Sequence, residues 1–215
     1  LFGWYENWID AQLASSVKKF IAVSECCAES LELRPKIMNS KKISYIYNGV
    51  PQPDIKEEHT FNLRDELKIE KSKICLMLAN YEARKGHSFL FESFKKVTEQ
   101  YPDISLVVCG DGSAKQKNDV KNILEKSASG LDVHLLGFIP NGRYLMNQAD
   151  VLLIASQEEE SFGLTAAESM IRGVPIVSTN SGGLAEVIGR NGEAGFSGDI
   201  NDTVSFSESI LRLIK

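Results

Sequence analysis

The sequence predicts an α/β protein with a Rossmann-like, mostly parallel sheet that carries helices on both faces. From Lys73 onward, short apolar runs alternate with glycine-containing loops and amphipathic stretches; these runs are KICLMLA, ISLVVC, DVHLL, VLLIA and PIVS. Runs that are apolar throughout are typical of strands buried on both faces, and strands that alternate with helices build parallel sheets. The chain of 215 residues, 43% of them hydrophobic, is long enough to bury such a core.

The first helix of this half shows a regular apolar stripe. Leu90, Phe94, Val97 and Tyr101 follow one another at spacings of four, three and four residues, which places them on one helix face. We expect that face to cover one side of the sheet.

The chain before this half is organised differently. KKFIAVS predicts a strand, and SECCAESL predicts a helix with Ser24 as its N-cap. ISYIYNGVPQPD predicts another strand that runs into an Asn-Gly pair; a hairpin turn is one interpretation, but the two prolines and the polar stretch that follows favour a linker. We therefore expect residues 1–50 to be the tail of one domain with a hinge, and residues 51–215 to be the Rossmann-like domain. Because the chain starts without methionine and ends in SFSESILRLIK without a C-cap glycine, we expect it to be part of a longer protein.

Composition narrows the classes of function. A formal charge of −5 without a long basic run argues against a nucleic-acid partner and leaves small anionic ligands open. The cysteines form no CxxC pair and are expected to be reduced, buried thiols; they are Cys26, Cys27, Cys75 and Cys109. No stretch reaches the roughly 20 apolar residues of a membrane span, and no signal-peptide pattern is evident, so we expect a cytoplasmic protein. Trp4 and Trp8 would share a helix face that packs against another surface, with membrane contact as the alternative.

The ligand site of such a sheet lies at the carboxyl ends of its strands, where the strand order reverses. After KICLMLA, Arg84 and Lys85 directly precede Gly86 and a helix. Two cations beside the amides of a helix N-terminus suit phosphate oxygens. The alternative is that Lys85 is a solvated surface lysine, because helix starts usually avoid cations.

The loop after ISLVVC is a weaker candidate. Gly110 and Gly112 allow a close backbone approach, but Lys115 stands where a G-x-G-x-x-G fingerprint has its third glycine. A tight turn without a ligand is an equally good interpretation.

The loop after VLLIA carries two carboxylates in the stretch EEESFGLTAAESM. Glu160 lies on the predicted loop, and Glu168 lies more than a turn into the predicted helix, which Gly173 closes. A carboxylate that faces the crevice can accept two hydrogen bonds from a vicinal diol such as that of ribose. The alternative is an acidic surface loop followed by a solvated helix position. Glu158 and Glu159 are expected to be solvated neighbours.

Taken together, these stretches resemble the retaining glycosyltransferases of family four, which have the two-Rossmann-domain GT-B architecture. EESFGLTAAESMIRGVPIVSTNSGGLAEVI is similar to the family's motif of two glutamates separated by seven residues. Further matches follow the family's order and cover almost the whole chain; they are FIAVSECCAESL, IYNGV, RKGHSFLFESF, LVVCGDGS, LLGFIP and ADVLLIAS. The resemblance implies that residues 51–215 are the C-terminal domain, which binds the nucleotide-sugar donor, and that residues 1–50 are the tail of the N-terminal acceptor domain.

The resemblance also implies roles for individual residues. Glu168 would bind the ribose hydroxyls, Glu160 would approach the donor sugar, and Lys85 would neutralise the diphosphate. Backbone amides near the diphosphate or sugar, and loops that flank the base, would come from Ser161, Phe162, Gly163, Leu164, Gly110, Gly112, Phe138 and Ile139. Asn80 departs from the family, many members of which have an arginine here; either Arg84 substitutes, or the site holds the diphosphate with one cation fewer.

The predicted function is therefore transfer of a hexose from a UDP- or GDP-sugar to a saccharide or lipid-linked acceptor, in surface polysaccharide or lipopolysaccharide synthesis. Fixed cations would stabilise the leaving diphosphate, and Glu160 would position the donor without covalent attack. We expect no cofactor and no metal, since the histidines are scattered and the family generally works without one. The missing acceptor domain would leave this chain inactive alone and would supply any peripheral contact with the inner face of the membrane.

Two other functions stay open at this point. A nicotinamide-dependent oxidoreductase would rest on the GDGS turn alone, without a third glycine or a clear ribose-binding acid after the next strand. A nucleotide-binding module without catalysis would keep the same residues.

Overall fold

The computed structural model describes residues 8–9, 12, 14, 16–34, 43–53, 61–189 and 194–215. In chain order the strands are β1 (Phe20–Ala22), β2 (Ile43–Tyr45), β3 (Lys73–Leu78), β4 (Ile104–Cys109), β5 (Val133–Leu136), β6 (Val151–Ile154), β7 (Ile176–Thr179) and β8 (Gly195–Gly198). The α-helices are α1 (Glu25–Glu32), α2 (Leu63–Leu67), α3 (His87–Gln100), α4 (Ala114–Ser127), α5 (Leu164–Met170), α6 (Leu184–Ile188) and α7 (Thr203–Ile214). Short 3₁₀ helices span Ala83–Lys85 and Gly142–Gln148.

The described residues from β3 to β8 form one six-stranded sheet in the order β5-β4-β3-β6-β7-β8. Every neighbouring pair in it runs parallel. The chain builds outward from β3 to β5 on one side, then returns to the centre and builds outward from β6 to β8 on the other. The predicted Rossmann-like sheet is confirmed, and its order reverses between β3 and β6, which marks the expected ligand crevice.

Apolar clusters cover both faces of this sheet, as the sequence predicts. One cluster packs α3 and α7 on the sheet, with Phe91, Phe94 and Phe206 fully buried. The other includes Leu63 of α2 and Leu145 of the second 3₁₀ helix. The apolar stripe of α3 is buried as predicted from Leu90 to Val97, whereas the final stripe residue, Tyr101, follows the helix end and is half-buried.

The edge strand β8 has no counterpart in the sequence prediction, because its sequence GFSG lacks an apolar run. It pairs with β7 through backbone bonds, which any residue can make. An added Cβ at Gly195 would lie 2.0 Å from the Ile176 carbonyl oxygen, so close packing against β7 requires glycine here.

The first part of the chain forms a separate two-stranded sheet. β1 and β2 pair in parallel. Residues 46–53, which include the Asn48-Gly49 pair, continue as irregular backbone and form no turn. Ser24 caps α1 as predicted, with its hydroxyl accepting from the Cys27 amide at 3.1 Å. The division of the chain into domains near residue 50 stays a prediction.

The expectations about the cysteines, the tryptophan face and membrane spans have different outcomes. All four cysteines are free, but Cys26 and Cys27, in the first turn of α1, are half-buried where the sequence predicted burial. Cys75 and Cys109 are buried, and burial raises the pKa of both thiols. Trp4 lies outside the described residues, so the predicted tryptophan face stays a prediction. Among the helices that the structure describes, none is long and apolar enough to cross a bilayer.

Candidate functional site

Two adjoining clefts lie at the carboxyl ends of the central strands, beside the reversal of strand order. One, of about 340 Å³, is lined by Glu160 and we call it the Glu160 cleft. The other, of about 380 Å³, is lined by Glu168 and we call it the Glu168 cleft. Both clefts share Arg84 and Lys85, together with the end of β3.

The predicted site residues are divided between these two clefts. Ser161, Phe162, Gly163 and Leu164 line the Glu160 cleft. Asn80, Gly110, Phe138 and Ile139 line the Glu168 cleft. Gly112 lines neither of them. Glu159, expected to be a solvated neighbour, lines the Glu160 cleft while remaining exposed, because it lies on the same loop as Glu160.

The Lys-Gly pair after β3 is held by close packing against β6. Gly86 has a φ of 74°, and an added Cβ would lie 1.9 Å from the Ala155 carbonyl oxygen. The Gln157 amide donates to the Arg84 carbonyl at 2.7 Å. The glycine therefore brings Lys85 against the end of β6, 70 residues later in the chain.

Lys85 and Glu160, for which the family resemblance implies different parts of the donor, contact each other. The Lys85 ammonium donates to Glu160 Oε1. The Ser156 hydroxyl donates to the same oxygen at 2.6 Å, and Arg84 Nη1 lies 3.9 Å from it. Burial by itself raises the pKa of Glu160, but the hydrogen bonds from Lys85 and Ser156 outweigh it, so the pKa lies below its usual value. Glu160 is thus held as a partly buried, paired carboxylate.

The loop that carries Glu160 is supported by a turn that follows β7, which the sequence reasoning did not assign to the site. The Glu160 amide donates to Ser181 Oγ at 3.2 Å, and Ser181 donates in turn to the Glu158 carbonyl. The Gly183 amide donates to the Glu160 carbonyl at 2.8 Å. An added Cβ at Gly182 would lie 2.4 Å from that same carbonyl oxygen. The sequence signal for this turn is NSGG at residues 180–183, since adjacent glycines indicate a close backbone approach.

The first part of the chain also reaches this loop. The Ser24 hydroxyl donates to the Ser161 carbonyl at 2.6 Å. The amides of Glu25 and Cys26 donate to the Glu186 carboxylate at 2.8 Å and 2.7 Å. Val23 and Asn48 also line the Glu160 cleft. Sequence reasoning missed them because both precede the strands whose carboxyl ends form the crevice.

Arg84 and Gly110 also have structural roles, besides the ligand-binding roles predicted for them. Arg84 Nε donates to Glu82 at 2.6 Å, and this bond raises the pKa of the guanidinium. An added Cβ at Gly110 would lie 1.8 Å from the Ala79 carbonyl oxygen, so its missing side chain is required by packing at the end of β3. Gly112 belongs to a local turn in which its amide donates to Asp111 at 2.8 Å.

Glu168 lies on α5, beside a cation that the sequence reasoning missed. Gly163 begins α5 with a φ of 93°, where an added Cβ would lie 2.4 Å from Leu184 Cδ1. Arg143 Nη1 lies 3.7 Å from Glu168 Oε1, and Arg143 lines the same cleft. Arg143 follows GFIPNG with no flanking pattern, so only proximity reveals it.

Comparisons with known proteins agree on one family. The family model described as "Glycosyl transferases group 1" matches residues 59–215. N-acetyl-alpha-D-glucosaminyl L-malate synthase of Bacillus anthracis is 29% identical over 187 residues, which cover 86% of this chain and 47% of that protein. Lipopolysaccharide 1,2-N-acetylglucosaminetransferase of Salmonella typhimurium is 27% identical over 190 residues, which cover 85% of this chain and 49% of that protein. The chain therefore spans about half the length of these curated relatives.

Solved structures share the fold. Anabaena Alr3699/HepE in complex with UDP and glucose superposes with a TM-score of 0.84 at 21% identity, over 100% of this chain and 58% of that chain. A glycosyltransferase from Rickettsia africae superposes with a TM-score of 0.84 at 23% identity, over 99% of this chain and 57% of that chain. At these identities the likeness shows the fold alone.

Proposed function

Because the chain belongs to the group 1 glycosyl transferases, we propose that its two adjoining clefts bind a nucleotide diphosphate sugar. In this proposal the Glu168 cleft holds the nucleoside, the Glu160 cleft holds the sugar, and the diphosphate spans the boundary at Lys85. The main observation in support of this proposal is that Lys85, Glu160 and Glu168 line two adjoining clefts where the strand order reverses.

The residues at the boundary between the two clefts are suited to stabilise a departing diphosphate. Breaking the anomeric bond places negative charge on the leaving group, and cations already held in position stabilise that charge. Lys85 and Arg84 line both clefts. We propose that these two cations neutralise the diphosphate without a metal, and that Arg84 takes the role of the arginine replaced by Asn80.

Glu160 is proposed to position the donor sugar, with retention of the anomeric configuration and without covalent attack. Its Oε1 atom is already engaged by Lys85 and Ser156. A carboxylate held in this way is suited to accept hydrogen bonds from sugar hydroxyls with its remaining lone pairs. Donor binding then requires Lys85 to divide its donors between Glu160 and the diphosphate.

The activity of the whole protein is proposed as hexosyl transfer to a saccharide or lipid-linked acceptor in surface polysaccharide or lipopolysaccharide synthesis. The relative named lipopolysaccharide 1,2-N-acetylglucosaminetransferase supports this class. We propose that transfer needs the part of these relatives that this chain does not cover. A cytoplasmic location, at the inner face of the membrane for a lipid-linked acceptor, fits the free cysteines.

Calorimetric titration of this chain with UDP, GDP, ADP and NAD in the presence of EDTA tests donor binding. We expect a nucleoside diphosphate to bind, and Lys85→Ala to weaken it by about 1.5 to 3 kcal/mol, the range for a charged hydrogen bond. Lys95→Ala is the matched control, because Lys95 lies on the exposed side of α3. Binding of NAD alone, or equal affinity of the Lys85 and Lys95 variants, would contradict the proposal.

A further inference from the structure

The Glu168 cleft contains an ion pair that the proposed donor chemistry has not used. Arg143 Nη1 lies 3.7 Å from Glu168 Oε1, and their side chains are 35% and 23% exposed. The two residues come from different elements, the 3₁₀ helix Gly142–Gln148 and α5. The pair therefore joins two elements that line the cleft.

Arg143 is held by a firmly packed backbone. Asn141 adopts a φ of 53°, and its carbonyl accepts from the Tyr144 amide at 3.1 Å. The residues that follow Arg143, which are Tyr144, Leu145 and Met146, are all buried. The sheet core thus sets the position of the arginine backbone relative to α5.

The geometry leaves the Glu168 carboxylate oriented and able to accept hydrogen bonds. A separation of 3.7 Å is within ion-pair range but longer than a hydrogen bond. The guanidinium therefore attracts the carboxylate without occupying the lone pairs that a ligand hydroxyl would use. Arg172, by contrast, donates to the backbone carbonyl of Glu168 at 3.0 Å and contributes to the helix end.

The other cations that line this cleft are engaged elsewhere. Arg84 donates to Glu82, and Lys85 donates to Glu160. Among the described cations that line the Glu168 cleft, Arg143 is the one paired with Glu168.

We propose that Arg143 is a positioning residue for nucleotide recognition: it keeps the Glu168 carboxylate turned into the cleft, where it accepts hydrogen bonds from both ribose hydroxyls. This inference rests on the proposed function, because it assumes that the Glu168 cleft holds the nucleoside. Arg143 acts through Glu168, so its effect depends on the presence of a vicinal diol in the ligand.

The experiment titrates this chain with the tightest-binding nucleoside diphosphate and with its 2′,3′-dideoxy analogue. We expect Arg143→Gln to weaken the ribose ligand about fivefold, the upper range for a partly exposed pair. The same variant should leave the affinity of the dideoxy analogue unchanged. It should also have no effect in a Glu168→Gln background. Arg143→Lys should recover part of the loss, since it restores the charge, and Arg172→Gln, the matched control, should retain the ribose preference.

The outcomes separate this inference from the function on which it rests. An Arg143→Gln loss of equal size for both ligands would assign the residue to the phosphate, the base or the fold, and would overturn the positioning role. An unchanged affinity for the ribose ligand would overturn it as well. If the unsubstituted chain binds no nucleoside diphosphate, the proposed function fails and this inference fails with it. Unfolding midpoints in urea identify a variant that has lost its fold, and in that case Arg143→Lys, compared on the two ligands, decides the question.

Discussion

The contact between Lys85 and Glu160 predicts a measurable energetic coupling between these two residues. Their side chains are 18% and 15% exposed, so the pair lies between a surface ion pair and a fully buried one. Surface pairs contribute up to about 1 kcal/mol, whereas removal of one partner of a buried pair costs about 3 to 5 kcal/mol. We expect Lys85→Met to destabilise the fold by about 2 kcal/mol, because Glu160 keeps the Ser156 hydrogen bond but loses its main counter-charge.

A double-mutant cycle isolates the coupling from other effects of each substitution. Glu160→Gln should cost less, about 1 kcal/mol, because the flexible lysine stem lets the ammonium move toward water. The double variant should then be more stable than the sum of the two losses by about 1.5 kcal/mol. The measurement is the free energy of unfolding from urea denaturation, repeated at low and high salt, where a mostly buried pair should change little.

The exposed pair Lys115 and Asp119, with side chains 85% and 49% exposed, is the matched control. Its cycle should give a clearly smaller coupling energy, because water and salt screen exposed charges, and this coupling should fall further as salt is raised. A Lys85–Glu160 coupling no larger than that of the control would refute the reasoning. It would mean that Ser156 and water compensate Glu160 without the lysine.

Three further predictions concern residues that support the fold around the site. Burial lowers the pKa of His87 to about 4. Because the unfolded chain then binds more protons at His87 below about pH 6.5, this histidine should lower stability by about 2 to 3 kcal/mol between about pH 7.5 and about pH 4.5 in urea titrations, and His87→Gln should remove that part of the loss. Gly110→Ala should destabilise by about 1 to 3 kcal/mol through overpacking against the end of β3, whereas Gly137→Ala, where an added Cβ meets nothing within 4 Å, should be tolerated; equal unfolding midpoints for the two would contradict this. Ser24→Ala should cost about 1 to 2 kcal/mol in unfolding free energy, because the hydroxyl both caps α1 and donates to the Ser161 carbonyl; an unchanged midpoint would show that this junction contributes nothing.

Local sequence patterns predicted most strands of the six-stranded sheet. The apolar runs that begin with KICLMLA became β3 to β7, because a run buried on both faces has few alternatives to a central strand. The strand β8 was missed, because glycines at both its ends leave no apolar pattern. Its formation depends on backbone pairing with β7, which no side-chain period records.

The sequence named most of the residues that line the two clefts but not how they are arranged, and their roles stay a prediction. Glu160 and Glu168 were found because one lies on a loop and the other a turn into a helix, and that difference is visible in the sequence itself. Gly110 lines the Glu168 cleft, but its requirement for glycine comes from the Ala79 carbonyl. Arg143 was missed because a lone arginine carries no signal until its neighbour across the cleft is known.

Burial patterns and helix-cap residues are visible along the chain, and they were enough to predict the fold class, the strands β3 to β7 and the loops that reach the crevice. They do not show which charges meet, because that depends on the tertiary structure. Lys85 and Glu160 are 75 positions apart, and they touch because β3 and β6 become neighbours when the strand order reverses. A pattern records which face of an element is buried, whereas the partner across a cleft depends on how the elements are placed side by side.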